Sequence, residues 1–259
     1  MCYDSKAKPP FPTERRGGAQ GEDLVLTAAD GNQFAAFLAR PENPSGAQLV
    51  ILPDVRGLHQ FYKDLALLFA EVGVATIALD YFGRTAGLGP RDDSFEFMPH
   101  VMQLTGAGFS ADLAASIASA QQNFGAGAPI FTVGFCMGGT WSLVAGAGDF
   151  GLAGVIAFYA GLRRAFGGNP TALELAASIK VPVLGLFGGA DQGIPASDVE
   201  ELDRSLDTTG MDHEIVIYPG ATHSFFDRRW TEFADASADA WQRILTFIST
   251  YTPVTASAG

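Results

Sequence analysis

Short uninterrupted apolar runs punctuate this chain at Gln48–Pro53, Val74–Leu79, Ile130–Phe135, Gly154–Tyr159 and Val181–Phe187. Runs of this length, rich in β-branched and aromatic residues and bounded by turn residues, read as strands buried on both faces. Between them the apolar positions change period. Leu65, Leu68, Phe69 and Val72 fall at helical spacing within Phe61–Val72, and Ser110–Phe124 reads as a helix with Ser110 as its N-cap. Leu24–Leu26 and Gln33–Ala39 flank Asp30-Gly31, which predicts a hairpin turn. His213–Tyr218 alternates like a half-buried strand. Arg229–Thr250 reads as a long closing helix with Phe233, Trp241, Ile244, Leu245 and Ile248 on its inner side. Strands alternating with helices predict an α/β protein with a mainly parallel central sheet and helices on both faces. Phe82–Phe109 carries no clear element, and loops of that length in compact domains tend to be functional.

The organisation this implies is a single α/β domain over residues 21–252, an N-terminal tail over 1–20 and a C-terminal tail over 253–259. Hydrophobic residues make up 47% of the 259, enough for a substantial core. Net charge is −12, from 16 basic and 28 acidic residues, so neither nucleic acid nor an anionic membrane surface is expected as a partner. No apolar run approaches membrane-spanning length, and Met1–Gly18 lacks the apolar core of a signal peptide. The cysteines are Cys2 and Cys136, and with Cys2 in the tail no structural disulfide is expected. A reducing cytoplasm fits that usage, as a monomer or small homo-oligomer.

The candidate chemistry begins where the Ile130–Phe135 strand runs into Gly134-Phe135-Cys136-Met137-Gly138-Gly139. Glycines two positions before and after the cysteine allow a tight strand-to-helix turn that lifts residue 136 out at the sheet edge. With a serine at its centre, this turn is the nucleophile elbow of the α/β-hydrolases. A helix N-terminus favours the thiolate, which is the nucleophilic form, and the Met137 amide can donate to an oxyanion formed there.

A cysteine nucleophile needs a base, and the base an orienter. Of the histidines, His213 begins a strand, His59 and His100 lie in or near irregular segments, and His223 follows the last strand. Ligand chemistry in an open parallel sheet gathers beyond the carboxyl ends of its strands, which selects His223. Asp191, just past Val183-Leu184-Gly185-Leu186-Phe187-Gly188-Gly189-Ala190, is the expected orienter, with Asp198 and Asp227 as alternatives. The chain order Cys136, Asp191, His223 is the nucleophile–acid–base order of the α/β-hydrolases.

Gly134-Phe135-Cys136-Met137-Gly138-Gly139, Gly188-Gly189-Ala190-Asp191 and Gly220-Ala221-Thr222-His223-Ser224-Phe225 together resemble the three signatures of the dienelactone hydrolases, or carboxymethylenebutenolidases. The resemblance implies an α/β-hydrolase fold without a large cap domain, no metal and no organic cofactor. It implies hydrolysis of a carboxylated enol-lactone or another activated ester. By the same resemblance Asp54 stands where the family has a glutamate that pairs with the cysteine. The Val55 amide would be the second oxyanion donor beside Met137. Arg84 would hold the substrate carboxylate, and Tyr159 and Phe225 would line the substrate site. The family's second arginine, four residues after the histidine, is replaced by Asp227, with Arg228 next to it. A broad carboxylesterase or thioesterase on the same triad, or a non-catalytic ligand-binding protein of this fold, are the alternative readings.

Overall fold

The computed structural model describes residues 7–253. The strands are β1 (Ala19–Thr27), β2 (Gln33–Pro41), β3 (Gln48–Leu52), β4 (Ala75–Leu79), β5 (Ile130–Phe135), β6 (Gly154–Phe158), β7 (Val183–Gly188) and β8 (His213–Tyr218). They form one sheet in the order β1-β2-β4-β3-β5-β6-β7-β8. The β1–β2 and β2–β4 pairs are antiparallel and every later pair is parallel. Every residue of β3, β4, β5, β6 and β7 is buried, as expected of strands covered on both faces. The edge strands β1 and β8 keep exposed positions.

The helices are α1 (Gln60–Glu71), α2 (Gly83–Ala86), α3 (Met98–Val101), α4 (Gly106–Phe124), α5 (Met137–Ala147), α6 (Ala172–Leu175), α7 (Ala196–Asp207) and α8 (Ala234–Thr250). The β3-α1-β4 crossover steps toward β1, whereas the crossovers through α4, α5 and α7 step toward β8. Right-handed connections therefore place α1 on one face and the others on the opposite face. Aromatic contacts join the layers accordingly: Phe69 of α1 meets Trp241 of α8 at 4.6 Å, and Phe109 of α4 stacks on Trp141 of α5 at 4.2 Å. The reversal between β3 and β5 opens a crevice beyond their carboxyl ends.

Several boundaries differ from the sequence reading. The α4 helix starts at Gly106, and Thr105 rather than Ser110 caps it, its hydroxyl accepting from the Gly108 amide at 3.1 Å. The α8 helix begins at Ala234 rather than Arg229, because residues 224–233 form successive turns. Part of the expected N-terminal tail is packed: Pro9, Pro10 and Pro12 are buried, and Trp241 donates its indole N–H to the Pro10 carbonyl at 2.9 Å. Cys2 and residues 254–259 lie outside the described residues.

The 82–109 segment contains α2 and α3 and is pinned by a buried ion pair. Arg91 Nη2 lies 2.8 Å from Asp80 Oδ2, and the guanidinium also donates to the Gly87 and Gly89 carbonyls. Asp80 in turn accepts from the Leu58 and Phe82 amides. With its donors and acceptors matched, such a pair is sustainable in the interior; removing one partner costs about 3–5 kcal/mol.

Candidate active site

The β5–α5 turn has the geometry its glycines predict. A Cβ on Gly134 would sit 1.9 Å from the Gly138 carbonyl oxygen, and one on Gly138 would sit 2.0 Å from the Leu52 oxygen. Only glycine fits at either position. Between them Cys136 adopts φ 55° and ψ −112°, a left-handed backbone that costs a residue with a side chain of order 1–3 kcal/mol. Its amide donates to the Phe158 carbonyl at 3.1 Å, tying the elbow to β6. Met137 is the first residue of α5, so its amide has no intrahelical acceptor and faces the end of the helix where negative charge is stabilised.

Asp191 and His223 reach the same place from the ends of β7 and β8. The two loops are stitched by Gly189 N to Tyr218 O and Ala190 N to Ala221 O, both 2.8 Å. His223 Nδ1 lies 2.6 Å from Asp191 Oδ2, while Asp191 Oδ1 accepts from the Gly193 amide at 2.9 Å. A proton held on Nδ1 by that carboxylate leaves Nε2 as the basic nitrogen. Of the alternative acids, Asp198 pairs with Arg163 at 3.0 Å, and Asp227 is buried behind the site with the Tyr159 hydroxyl 3.3 Å away.

Cys136, Asp191 and His223 line one cleft of about 880 Å³, together with Val55 and Met137. Asp54, beside Val55, is buried. Its amide donates to the Tyr62 hydroxyl at 3.0 Å, and its Oδ1 accepts from the Arg56 amide at 2.8 Å. Burial, then the charges of Asp54, Asp80 and Cys136, push the Tyr81 phenol well above its usual range. One buried phenol thus senses both the Asp54 carboxylate and the cysteine.

Three residues expected at the substrate are elsewhere. Arg84 is not on the cleft: it bridges Asp30 and Asp112, with Nη2 2.8 Å from Asp112 Oδ1, and so fastens α2 to α4 and the hairpin turn. Tyr159 and Phe225 are fully buried and do not line the cleft. The Tyr159 ring packs 4.9 Å from His223, and Phe225 packs on Tyr159 and Tyr218. They form the wall behind the histidine.

The cleft's cations are instead Arg163, Arg164, Arg228 and Arg229. Arg163 is paired with Asp198 and Glu201, and Arg229 with Glu232 and the Thr222 hydroxyl. The Arg164 guanidinium lies over Phe166, 5.2 Å from its centroid. Neither Arg164 nor Arg228 has a carboxylate within ion-pair distance among the described residues. The signal in the sequence was the Arg-Arg doublet, placed twice here in a chain with only 16 basic residues. Met98, Phe166 and Ile194 supply an apolar side to the same cleft.

The chain has relatives among known proteins. The sequence model of the dienelactone hydrolase family matches residues 34–252. A "Putative carboxymethylenebutenolidase" of Salmonella typhimurium is 28% identical over 244 residues, spanning 90% of this chain and 89% of the relative. One of the same description from Synechocystis sp. is 30% identical over 236 residues, spanning 88% of this chain and 96% of the relative. Among solved structures, a "Putative Dienelactone Hydrolase" from Klebsiella pneumoniae superposes with a TM-score of 0.79 at 25% identity, spanning 90% of this chain and 99% of that one.

Proposed function

The chain belongs to the dienelactone hydrolase family and has the α/β-hydrolase fold, and from that premise we propose that it opens lactones or activated esters through a thioester on Cys136. A hydrolase acting on ester bonds is what the family does; the nucleophile and the substrate class are our reading. The observation that carries it is the 2.6 Å His223–Asp191 contact lining the same cleft as the strained Cys136.

His223 Nε2 takes the proton of the Cys136 thiol, and the sulfur attacks the ester carbonyl carbon. The carbonyl π pair moves onto oxygen, where the amides of Val55 and Met137 receive it. Collapse of this adduct breaks the C–O bond, and the leaving enolate or alkoxide takes the proton from His223. A water then gives its proton to His223 and attacks the thioester. The second adduct collapses to the carboxylic acid, and sulfur regains its proton. Thiolate is a better leaving group than a simple alkoxide, so the first collapse favours enol-lactones and other activated esters. A reducing compartment would keep the sulfur in this cycle.

The substrate we propose carries a carboxylate, received by Arg164 and Arg228 rather than Arg84. A hydrogen-bonded charge contributes roughly 1.5–3 kcal/mol, which is about ten-fold or more in KM. The test is kcat/KM for a carboxylated lactone and a neutral p-nitrophenyl ester in wild type, Arg164→Ala and Arg228→Ala. Selective loss on the charged substrate is expected. Equal losses would leave a broad carboxylesterase or thioesterase on the same triad.

A further inference from the structure

The residues behind Asp54 belong to none of the steps above. His59, the residue before α1, is 5% exposed, and its Nε2 lies 3.7 Å from Asp54 Oδ1. Its ring meets Tyr62 edge-on, with centroids 4.8 Å apart, and it is Tyr62 that accepts from the Asp54 amide. On its other side His59 lines a second cavity, of about 590 Å³, with Leu58, Lys63, Asp80 and Arg91. The imidazole therefore touches both that cavity and the buried Asp54 carboxylate.

A carboxylate only 1% exposed is expensive to hold unless its charge is met. One of its oxygens takes the Arg56 N–H, and His59 is 3.7 Å from that same oxygen. At that distance the imidazole does not make a direct hydrogen bond, but it is the side chain that covers this oxygen. The other titratable groups around the pair are Tyr62 and Lys63 from α1, Tyr81 and Asp80 from the end of β4, Arg91, Cys136 and Asp227. The tyrosines are held protonated by burial and by these negative neighbours, so they add no charge of their own.

We infer that His59 is a positioning residue which, by pairing with the buried Asp54 carboxylate, sets the reactivity of the Cys136 thiol in the free enzyme. The inference rests on the proposed roles of Cys136 and Asp54. A carboxylate held beside the thiol opposes its ionisation. Without the imidazole, Asp54 must take a proton or turn toward water, and in either case its hold on the sulfur weakens.

The experiment measures iodoacetamide alkylation at the Cys136 peptide by mass spectrometry, at neutral pH, alongside kcat/KM. The proteins are wild type, Asp54→Asn, His59→Phe, His59→Asn and the Asp54→Asn/His59→Phe double variant. Asp54→Asn should alkylate about ten-fold faster, the equivalent of one unit in the thiol equilibrium. His59→Phe should accelerate in the same direction, and the double variant should match Asp54→Asn alone, since both changes act through one carboxylate. His59→Asn, which restores an N–H, should return part of the wild-type protection, and it carries the test if the phenylalanine variant does not fold. If Asp54→Asn leaves alkylation unchanged, the pairing of Asp54 with Cys136 fails. If Asp54→Asn accelerates while the His59 variants do not, or the double variant is additive, the role of His59 is overturned. A fall in kcat/KM with unchanged alkylation would likewise make His59 merely structural.

Discussion

At φ 55° and ψ −112°, Cys136 occupies backbone space that glycine enters freely and a residue with a Cβ does not. That strain has a measurable counterpart. Cys136→Gly should unfold at a higher temperature than Cys136→Ala, by about 1 kcal/mol of stability, with both variants inactive. Equal melting temperatures would mean that the elbow relaxes when the sulfur is removed. The histidine and aspartate divide in another way. In the proposed mechanism His223 carries the proton and Asp191 only fixes its Nδ1, so His223→Ala should cost about 10²–10⁴-fold in kcat and Asp191→Asn less. A larger loss in Asp191→Asn would point to a misfolded β7 loop, which circular dichroism would reveal. At this scale the meeting of Cys136, Asp191 and His223 in one cleft was legible, because glycine spacing and chain order speak for it. Of the cleft arginines only Arg228 was singled out in the sequence. Arg84 and Arg164 are both ordinary loop arginines in sequence, and only long-range partners distinguish them: Asp30 and Asp112 claim the first.

The elements that hold the site are joined by contacts that no local pattern announces. The elbow helix α5 packs against the end of β3 so closely that Gly138→Ala should both inactivate and destabilise the protein, its Cβ falling 2.0 Å from the Leu52 oxygen. A variant with native thermal stability would show that this approach is looser than described. Arg84 joins α2 to α4, so Arg84→Ala should lower stability by about 1–3 kcal/mol and reduce turnover of charged and neutral esters alike. Burial pushes the Asp112 carboxyl above its ordinary range, against the pull of Arg84 and Asn32. A raised carboxyl costs the folded state stability as pH climbs past its unfolded value, and loss of Arg84 enlarges that cost. The destabilisation by Arg84→Ala should therefore be greatest near neutral pH and shrink in acid, in urea melts at several pH values. A pH-independent loss would assign Arg84 to packing rather than charge. Element existence was largely legible from period, and boundaries less so. Thr105 caps α4 because the Gly106–Phe109 turn packs under Gly167, whose carbonyl accepts from Gly106 at 2.8 Å, and this contact is invisible in a local window. The late start of α8 has the same kind of cause, since Asp227 and Phe225 are drawn into the wall behind His223.

For the whole molecule the sheet order decides where chemistry can happen. The reversal between β3 and β5 brings Asp54 and Val55 to the elbow, and the parallel run through β7 and β8 delivers Asp191 and His223 to the same edge. That architecture was readable from alternating strands and helices, because buried parallel strands leave little choice of cover. A net charge of −12 would set the long-range field against the proposed anionic substrate, and Arg164 and Arg228 are the cleft cations available to oppose it locally. Salt screens the distant charges over a Debye length of about 8 Å while the near contacts persist. Raising the ionic strength modestly should therefore not abolish the preference for a charged lactone. The claim on which the rest depends is the thioester at Cys136. Its direct measurement is intact and peptide mass spectrometry of the enzyme quenched during turnover of a slow, activated ester. The account predicts an acyl mass on the peptide containing Cys136, absent in Cys136→Ala and cleared as substrate is consumed. Full turnover in Cys136→Ala, or an acyl group carried on any other residue, would contradict it.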